Sequence, residues 1–251
     1  MTLHAAAARI APEGEIFIYG ANDEGIRSVG SVLESLFERP ETVAARRHCR
    51  VWRARAPAQS RDARGRLEDW RLSFEVELPG GSARVVSYPG IFAHGRLDEG
   101  SRQLVEALPP LSARDRVLDF GCGIGIVGLA ARQRAPGVAI DAVDVDALAV
   151  EAARENLPDA TVRLGDGWSA LDDAERYSLI VSNPPLHRGK ARDLEVLREL
   201  CEQAPRHLRR RGSLLFVTLR TLPVSPLLER RFSRVEVARE DSRFRVWRGI
   251  A

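Results

Sequence analysis

The chain has 251 residues, of which 44% are hydrophobic and 29% charged, with a formal net charge of +3. This length and balance suit one large α/β domain plus a small appendage and exclude a disordered chain. No apolar run is long enough to span a bilayer, residues Met1 to Pro12 lack the order of a secretory signal, and Cys49, Cys122 and Cys201 share no metal-ligand spacing. A cytoplasmic protein with reduced thiols and no metal is expected. A monomer is favoured over an oligomer. The small basic excess suits a polyanionic partner, and solubility alone would also account for it.

Taken in chain order, Glu15–Tyr19 reads as a strand, Glu24–Glu38 as an amphipathic helix and Arg50–Ala56 as a second strand, followed by a polar stretch, Pro57–Glu68. Arg71–Leu78 and Ala83–Tyr88 read as a hairpin around Pro79-Gly80-Gly81. Residues 1–88 are therefore expected to form a small α+β domain, and residues 89–251 a larger one. From Asp115 onward strands alternate with helices, the pattern of βα units around a parallel sheet. The strands are Arg116–Phe120, Ala139–Val143, Thr161–Leu164, Ser178–Ser182, Ser213–Leu219, Val235–Ala238 and Phe244–Gly249. The helices are Ile124–Arg134, Ala147–Asn156, Ala191–Arg209 and Ser225–Phe232. Only the turn Glu240–Arg243 separates the last two strands, so the sheet is expected to end in an antiparallel pair.

Val117-Leu118-Asp119-Phe120-Gly121-Cys122-Gly123-Ile124-Gly125 is a buried strand running into a glycine-rich turn and then a helix. Gly121, Gly123 and Gly125 allow a sharp turn and close approach of a ligand to the backbone, the pattern of a nucleotide-binding loop. The spacing is GxGxG, not the GxGxxG of dinucleotide-binding loops. Asp119 closes the strand, placed to orient the loop and meet a cofactor amino group. Asp144 ends the next strand, where an acidic side chain accepts hydrogen bonds from ribose hydroxyls. Asp144 and Asp146 also have the position of caps on the following helix. Asp166, in Gly165-Asp166-Gly167-Trp168 after the third strand, is placed to meet an adenine edge, although the same loop also reads as a plain turn.

The fourth strand leads into Asn183-Pro184-Pro185-Leu186-His187. Two prolines stiffen this loop, leaving the Asn183 side-chain oxygen and the Pro184 carbonyl as fixed acceptors for an NH2 group. The element resembles the NPP[FYW] motif of methyltransferases that act on planar amides and exocyclic amines. From Pro89 to Ala251 the chain resembles the bacterial ribosomal RNA guanine-N2 methyltransferases, most closely the small-subunit type. The blocks that carry this are Pro89-Gly90-Ile91-Phe92 with Leu97-Asp98-Glu99-Gly100-Ser101, Asn183-Pro184-Pro185 with His187, and Phe244-Arg245-Val246-Trp247-Arg248.

The resemblance implies a doubly wound, seven-stranded class I methyltransferase sheet of Rossmann-like α/β type, with S-adenosylmethionine as cofactor. It implies ribosomal RNA or the small ribosomal subunit as partner, and the N2 amine of a guanine as methyl acceptor. Asn183, Pro184 and Pro185 would be catalytic; Leu186, His187 and Phe92 would meet the substrate. Asp119, Gly121, Gly123, Gly125, Asp144, Asp166, Gly100 and Ser101 would hold the cofactor. The chain departs from the family at Leu186, where an aromatic residue stands, and in the length preceding Pro89, which is shorter than the family's N-terminal domain. Phe92 or Trp168 would then have to supply a stacking ring. Rival readings are a methyltransferase acting on a protein glutamine or a small amine, and an RNA-binding paralogue without turnover. Intact Asn183-Pro184-Pro185 argues against the last.

Arg46, Arg47, Arg50, Arg53 and Arg55, with Trp52 among them, form a basic cluster that reads either as an RNA-facing stripe or as a charge-protected edge strand. Arg209-Arg210-Arg211-Gly212 reads as a helix stop, its cations complementing the dipole and its glycine supplying a left-handed turn.

Overall fold

Alternating apolar positions, Ile16 and Ile18 between Glu15, Phe17 and Tyr19, produce a half-buried first strand in a computed structural model that describes residues 1–57, 63–185 and 191–251. The chain divides into two units, Met1–Arg71 and Leu72–Ala251. The first contains α1 (Thr2–Ala7), β1 (Glu15–Ala21), α2 (Val29–Leu36), β2 (Glu38–Arg46) and β3 (Cys49–Arg55). Its antiparallel sheet has the order β1-β3-β2. Ile16, Ile18, Trp52 and Ala54 pack against Leu33, Leu36 and Phe37, with Leu3 and Ala7 of α1 completing the cluster. Gly30 is required here because a Cβ on it would lie 2.9 Å from the Trp52 ring.

Four features of this unit differ from the sequence reading. The helix expected over Glu24–Glu38 is a 3-10 turn, Ile26–Ser28, followed by the shorter α2. The short helix α1 and the strand β2 were not expected at all. β2 lies at a sheet edge with most of its side chains exposed, so it shows no apolar alternation. The turn into β3 is made by Arg47 and His48, at φ 48° and 65°, where two-residue hairpins ordinarily use Asn-Gly. β3, which carries Arg50, Arg53 and Arg55, is the central strand, so the edge-strand reading of these arginines is incorrect.

The second unit begins with the hairpin β4 (Leu72–Leu78) and β5 (Gly81–Ser87). This hairpin belongs with the larger unit and not with residues 1–71. Val76, Leu78, Val85 and Val86 are buried. Asn156 accepts from the Val86 N–H at 2.8 Å and donates to the carbonyls of Val86 (3.0 Å) and Ile124 (2.8 Å), tying the hairpin to the helix that ends at Asn156. A two-stranded ribbon needs such a support, being marginal on its own.

There follow α3 (Glu99–Ala107), β6 (Arg116–Phe120), α4 (Ile126–Arg134), β7 (Ala139–Asp144), α5 (Ala147–Asn156), β8 (Thr161–Leu164), β9 (Tyr177–Ser182), α6 (Ala191–His207), β10 (Leu208–Leu219), α7 (Ser225–Glu229), β11 (Arg234–Glu240) and β12 (Phe244–Ile250). The sheet order is β11-β12-β10-β9-β6-β7-β8, with β6 to β10 parallel and β12 antiparallel to both its neighbours. This is the seven-stranded doubly wound sheet, with its antiparallel closing pair, that the sequence implied. Leu118, Ile180, Leu214 and Phe216 are essentially inaccessible at its centre.

The run Arg209–Gly212 belongs to β10 and not to a helix stop. The left-handed residue is Arg211, at φ 63°. Gly212 is needed for a different reason: a Cβ there would lie 2.9 Å from the Arg209 carbonyl oxygen and 3.0 Å from that of Tyr177. On the sheet, Arg116 bonds Asp141 at 2.7 Å and Glu175 at 2.7 Å, and Arg163 reaches Glu175 at 2.9 Å. No helix among the described residues is long and apolar enough to cross a membrane.

Candidate active site at the sheet switch point

From β6 the chain steps outward through β7 and β8, then returns to the other side of β6 as β9. In open α/β sheets such a reversal leaves a crevice beyond the carboxyl ends of the two central strands. The glycine loop follows β6 and Asn183 follows β9, so the two motifs arrive at the same crevice. Ser182 Oγ donates to the Phe120 carbonyl at 2.8 Å and clamps these strand ends together.

The glycine loop is held from β7. The Gly121 and Cys122 N–H groups both donate to the Val143 carbonyl, at 2.9 and 3.0 Å, and Gly123 N–H donates to Asp144 Oδ2 at 2.8 Å. Asp144 Oδ1 accepts from Asp146 N–H at 2.9 Å. One bond to each oxygen leaves the carboxylate with unused lone pairs for two vicinal hydroxyls. Gly121 and Gly123 have φ of 70° and 53°, and a Cβ on either would meet nothing within 4 Å. The loop thus presents open space where a ligand can lie against bare backbone, and these residues fit a nucleoside cofactor. Gly125 differs: its Cβ would strike Leu157 at 2.8 Å, so it serves packing at the start of α4.

Asp119 lies beneath the loop, 2% exposed, and accepts from the Gly128 N–H at 3.0 Å. Burial drives its pKa up from 3.8 to about 7; the neighbouring Asp144 charge adds to the rise and the Gly128 bond opposes it. A group so poised takes up or releases its proton readily when a cation arrives. Burial likewise raises the Cys122 thiol well above its ordinary range, so that thiol is inert packing.

Asn183 is positioned by α3. Its Nδ2 donates to Asp98 Oδ2 at 3.0 Å and to Ser101 Oγ at 3.1 Å. Asp98 is at the same time the N-cap of α3, accepting from the Ser101 N–H at 3.0 Å. An ionised carboxylate only accepts, so the Asn183 amide has its NH2 end turned to α3 and its Oδ1 left over. Among the described residues nothing donates to that oxygen. Gly100 makes the approach feasible: a Cβ there would sit 3.0 Å from Asp98 Oδ2 and 3.3 Å from Asn183 Oδ1. The structure therefore brings Gly100 and Ser101, read from the sequence as cofactor residues, to the Asn183 amide.

Of the other sequence candidates, Pro184 is buried and Pro185 exposed beside Asn183. Leu186 and His187 lie outside the described residues. Phe92 is 60% exposed, in a segment where Gly90, Ala93 and Gly95 all have positive φ. Asp166 is exposed, and its loop is tied to the end of β7 by Gly165 N–H donating to the Asp144 carbonyl at 3.0 Å. Asp146 is the N-cap of α5, bonding Leu148 N–H at 2.8 Å. Trp168 packs 4.4 Å from Phe120 and stacks 5.0 Å from His207, measured between ring centroids, so its ring is engaged in the core. His94 bonds Ser87 Oγ at 2.9 Å. Asp98 was not singled out from the sequence. Its signal was present, an acidic residue before Glu99-Gly100-Ser101 in the position of a helix cap.

A family profile described as "Methyltransferase small domain" matches residues 82–248, and its N-terminal counterpart, "Methyltransferase small domain N-terminal", matches residues 1–74. A "Ribosomal RNA small subunit methyltransferase C" from Pseudomonas entomophila is 36% identical over 250 residues, covering 98% of this chain and 73% of the relative. The protein of that name from Shewanella amazonensis is 31% identical, covering 96% of this chain and 70% of the relative. Among solved structures, a T. thermophilus 16S rRNA N2 methyltransferase in complex with AdoMet and guanosine superimposes with a TM-score of 0.87. At 23% identity, covering 99% of this chain and 68% of the other, it supports the fold.

Proposed function

Because the chain belongs to the methyltransferase small domain family, together with the ribosomal RNA small subunit methyltransferase C proteins, we propose that it methylates the exocyclic N2 amine of a guanine in small-subunit ribosomal RNA, with S-adenosylmethionine as donor. The observation that carries the reading is the Asn183 amide, locked by Asp98 and Ser101 after the end of β9, with its Oδ1 accepting from none of the described residues.

Gly121, Gly123 and Asp144 hold the cofactor, Asp144 through the ribose hydroxyls and the glycines through close backbone approach. Asp119, beneath the loop, accepts from the Gly128 N–H and so orients the loop for the cofactor. The cofactor brings an activated sulfonium methyl group, so no metal is needed. Asn183 Oδ1 and the Pro184 carbonyl each accept one N–H of the guanine amine. The nitrogen lone pair is thereby aimed at the methyl group. With the cofactor bound, transfer would form the N–C bond as the C–S bond breaks, leaving the thioether product, and the surplus proton of the amine would pass to solvent. Both acceptors bond more strongly as positive charge grows on nitrogen, so they stabilise the transition state more than the bound substrate. Phe92, exposed in the segment before α3, is assigned in this reading to face the base.

The test is transfer of labelled methyl groups to small ribosomal subunits, protein-free ribosomal RNA and total protein. Label in N2-methylguanosine after nuclease digestion supports the reading. Label confined to protein or small amines overturns it.

A further inference from the structure

One surface of the N-terminal unit is used by none of the chemistry above. The sheet of β1, β3 and β2 packs one face against α1 and α2, while on the other face Phe17, Tyr19, Glu41, Ala44 and Arg46 are exposed. The strand register places its residues in rows. Glu15 lies beside Arg55; Phe17 beside Arg53 and Glu41; Tyr19 beside Val51 and Ala44; and Ala21 beside Cys49 and Arg46. Phe17 is 56% and Tyr19 84% exposed, large aromatic rings that an isolated sheet would ordinarily bury.

Charge across this face is graded. Arg53 bonds Glu41 at 2.9 Å and Arg55 lies 3.9 Å from Glu15, so one end is neutralised. At the other end Arg46, Arg47 and His48 are exposed, and the two arginines have no acidic partner among the described residues. Arg47 and His48 hold the left-handed backbone of the tight turn without glycine. Non-glycine residues persist in that conformation only where the surroundings impose it.

We infer that this open face docks single-stranded RNA, with Phe17 and Tyr19 stacking bases and Arg46 and Arg47 meeting phosphates. The inference rests on the RNA reading proposed above. Side chains two apart on a strand are about 7 Å apart on one face, and aromatic residues so placed on a sheet stack neighbouring bases of an unpaired strand. A duplex hides its base faces and offers nothing for these rings to stack on. Charge complementarity distinguishes this occupant from an apolar protein partner: beyond the Tyr19 end of the row stand Arg46 and Arg47, which have no acidic partner among the described residues, so a phosphate backbone can continue from the rings onto cations.

The test is anisotropy of a labelled single-stranded RNA and of a duplex of equal length with the full chain. Phe17→Ala and Tyr19→Ala should each weaken single-strand binding on the order of tenfold, since a stacked base contributes on that scale. Tyr19→Phe should retain binding. Arg46→Glu with Arg47→Glu should reduce the slope of log affinity against log salt by about 1–2. Cofactor affinity and melting temperature should stay at wild-type values, because these residues are exposed. Wild-type binding with unchanged affinity in both alanine variants overturns the stacking face and leaves the methyltransferase reading intact. A dimer that dissociates in Tyr19→Ala with RNA affinity unchanged overturns it too, marking a contact between copies. No binding of either RNA by the wild-type chain overturns the docking face, while the methyltransferase reading stands or falls by methyl transfer to the small subunit.

Discussion

Asp98 Oδ2 accepts one hydrogen bond from the Asn183 side chain at 3.0 Å and another from the Ser101 backbone at 3.0 Å, so the residue that starts α3 also dictates which end of the Asn183 amide faces the crevice. Asp98→Asn separates the two roles. Asparagine still caps a helix, but its own amide can donate, so the Asn183 amide is no longer held in one orientation. The variant should keep its melting temperature within a few degrees and lose roughly tenfold to a hundredfold in kcat, a loss of about 1.4–2.8 kcal/mol in the transition state. Steady-state kinetics beside a thermal melt checks both halves.

Gly100→Ala probes the same contact sterically. Its Cβ would crowd Asp98 Oδ2 and Asn183 Oδ1 at 3.0 and 3.3 Å, so the amide must shift. Turnover should fall by about tenfold or more, as misplacement of a positioned group does. Cofactor affinity, measured by calorimetry, should change little, which would separate Gly100 from the cofactor role read from the sequence.

Asp144→Ala should weaken cofactor binding by more than about tenfold, because it removes the acceptor proposed for the ribose hydroxyls together with the brace on Gly123 N–H. Titration calorimetry reads this directly. Equal affinity in the variant would leave Asp144 a loop brace alone.

The raised pKa of Asp119 has a definite sign. With a folded value of about 7 against 3.8 for the ordinary group, the folded chain retains a proton between these pH values that the unfolded chain has lost. Its contribution to stability is thus greatest at low pH and declines as pH rises from about 4 to 7, by up to about 1.4 kcal/mol per unit. Asp119→Asn keeps an acceptor for Gly128 N–H and should abolish that slope in urea unfolding measured across the window.

Glu175 runs the other way. Partial burial works against its charge, but hydrogen bonds from Arg116, the Asp172 N–H and Arg163 prevail and hold its pKa down from 4.5 to about 2. Its stabilisation is complete above about pH 4.5 and lost as pH falls toward 2. Glu175→Gln should cost about 2 kcal/mol at neutral pH, somewhat less than a fully buried pair because both arginines retain some solvent contact. The difference should vanish in acid, as read by unfolding at several pH values.

The large unit was legible because its strands are buried on both faces: runs such as Val117-Leu118 and Leu179-Ile180-Val181 admit little else, and Gly121, Asp119 and Asn183 are placed relative to those strand ends. The N-terminal unit was less so. β2 has almost no buried side chain to set a period, and its turn through Arg47 and His48 carries none of the residues that announce a hairpin. The hairpin β4–β5 was recognised but assigned to the wrong unit, since its attachment runs through Asn156, seventy residues away in sequence from Val86. In the site, single residues were found but their partnerships were not. Asp98 and Asn183 are eighty-five positions apart, and only the tertiary fold, which sets the start of α3 beside the residue after β9, brings them together.

The most direct test of the central claim is a single-turnover comparison of wild type and Asn183→Ala, with saturating cofactor and small-subunit ribosomal RNA, alongside cofactor affinity for each. Transfer to the guanine N2 amine should drop by at least about a hundredfold while cofactor affinity stays level, as expected for a contact made chiefly in the transition state. Wild-type transfer by Asn183→Ala, or a loss accounted for by weaker cofactor binding, would contradict the role assigned to this amide.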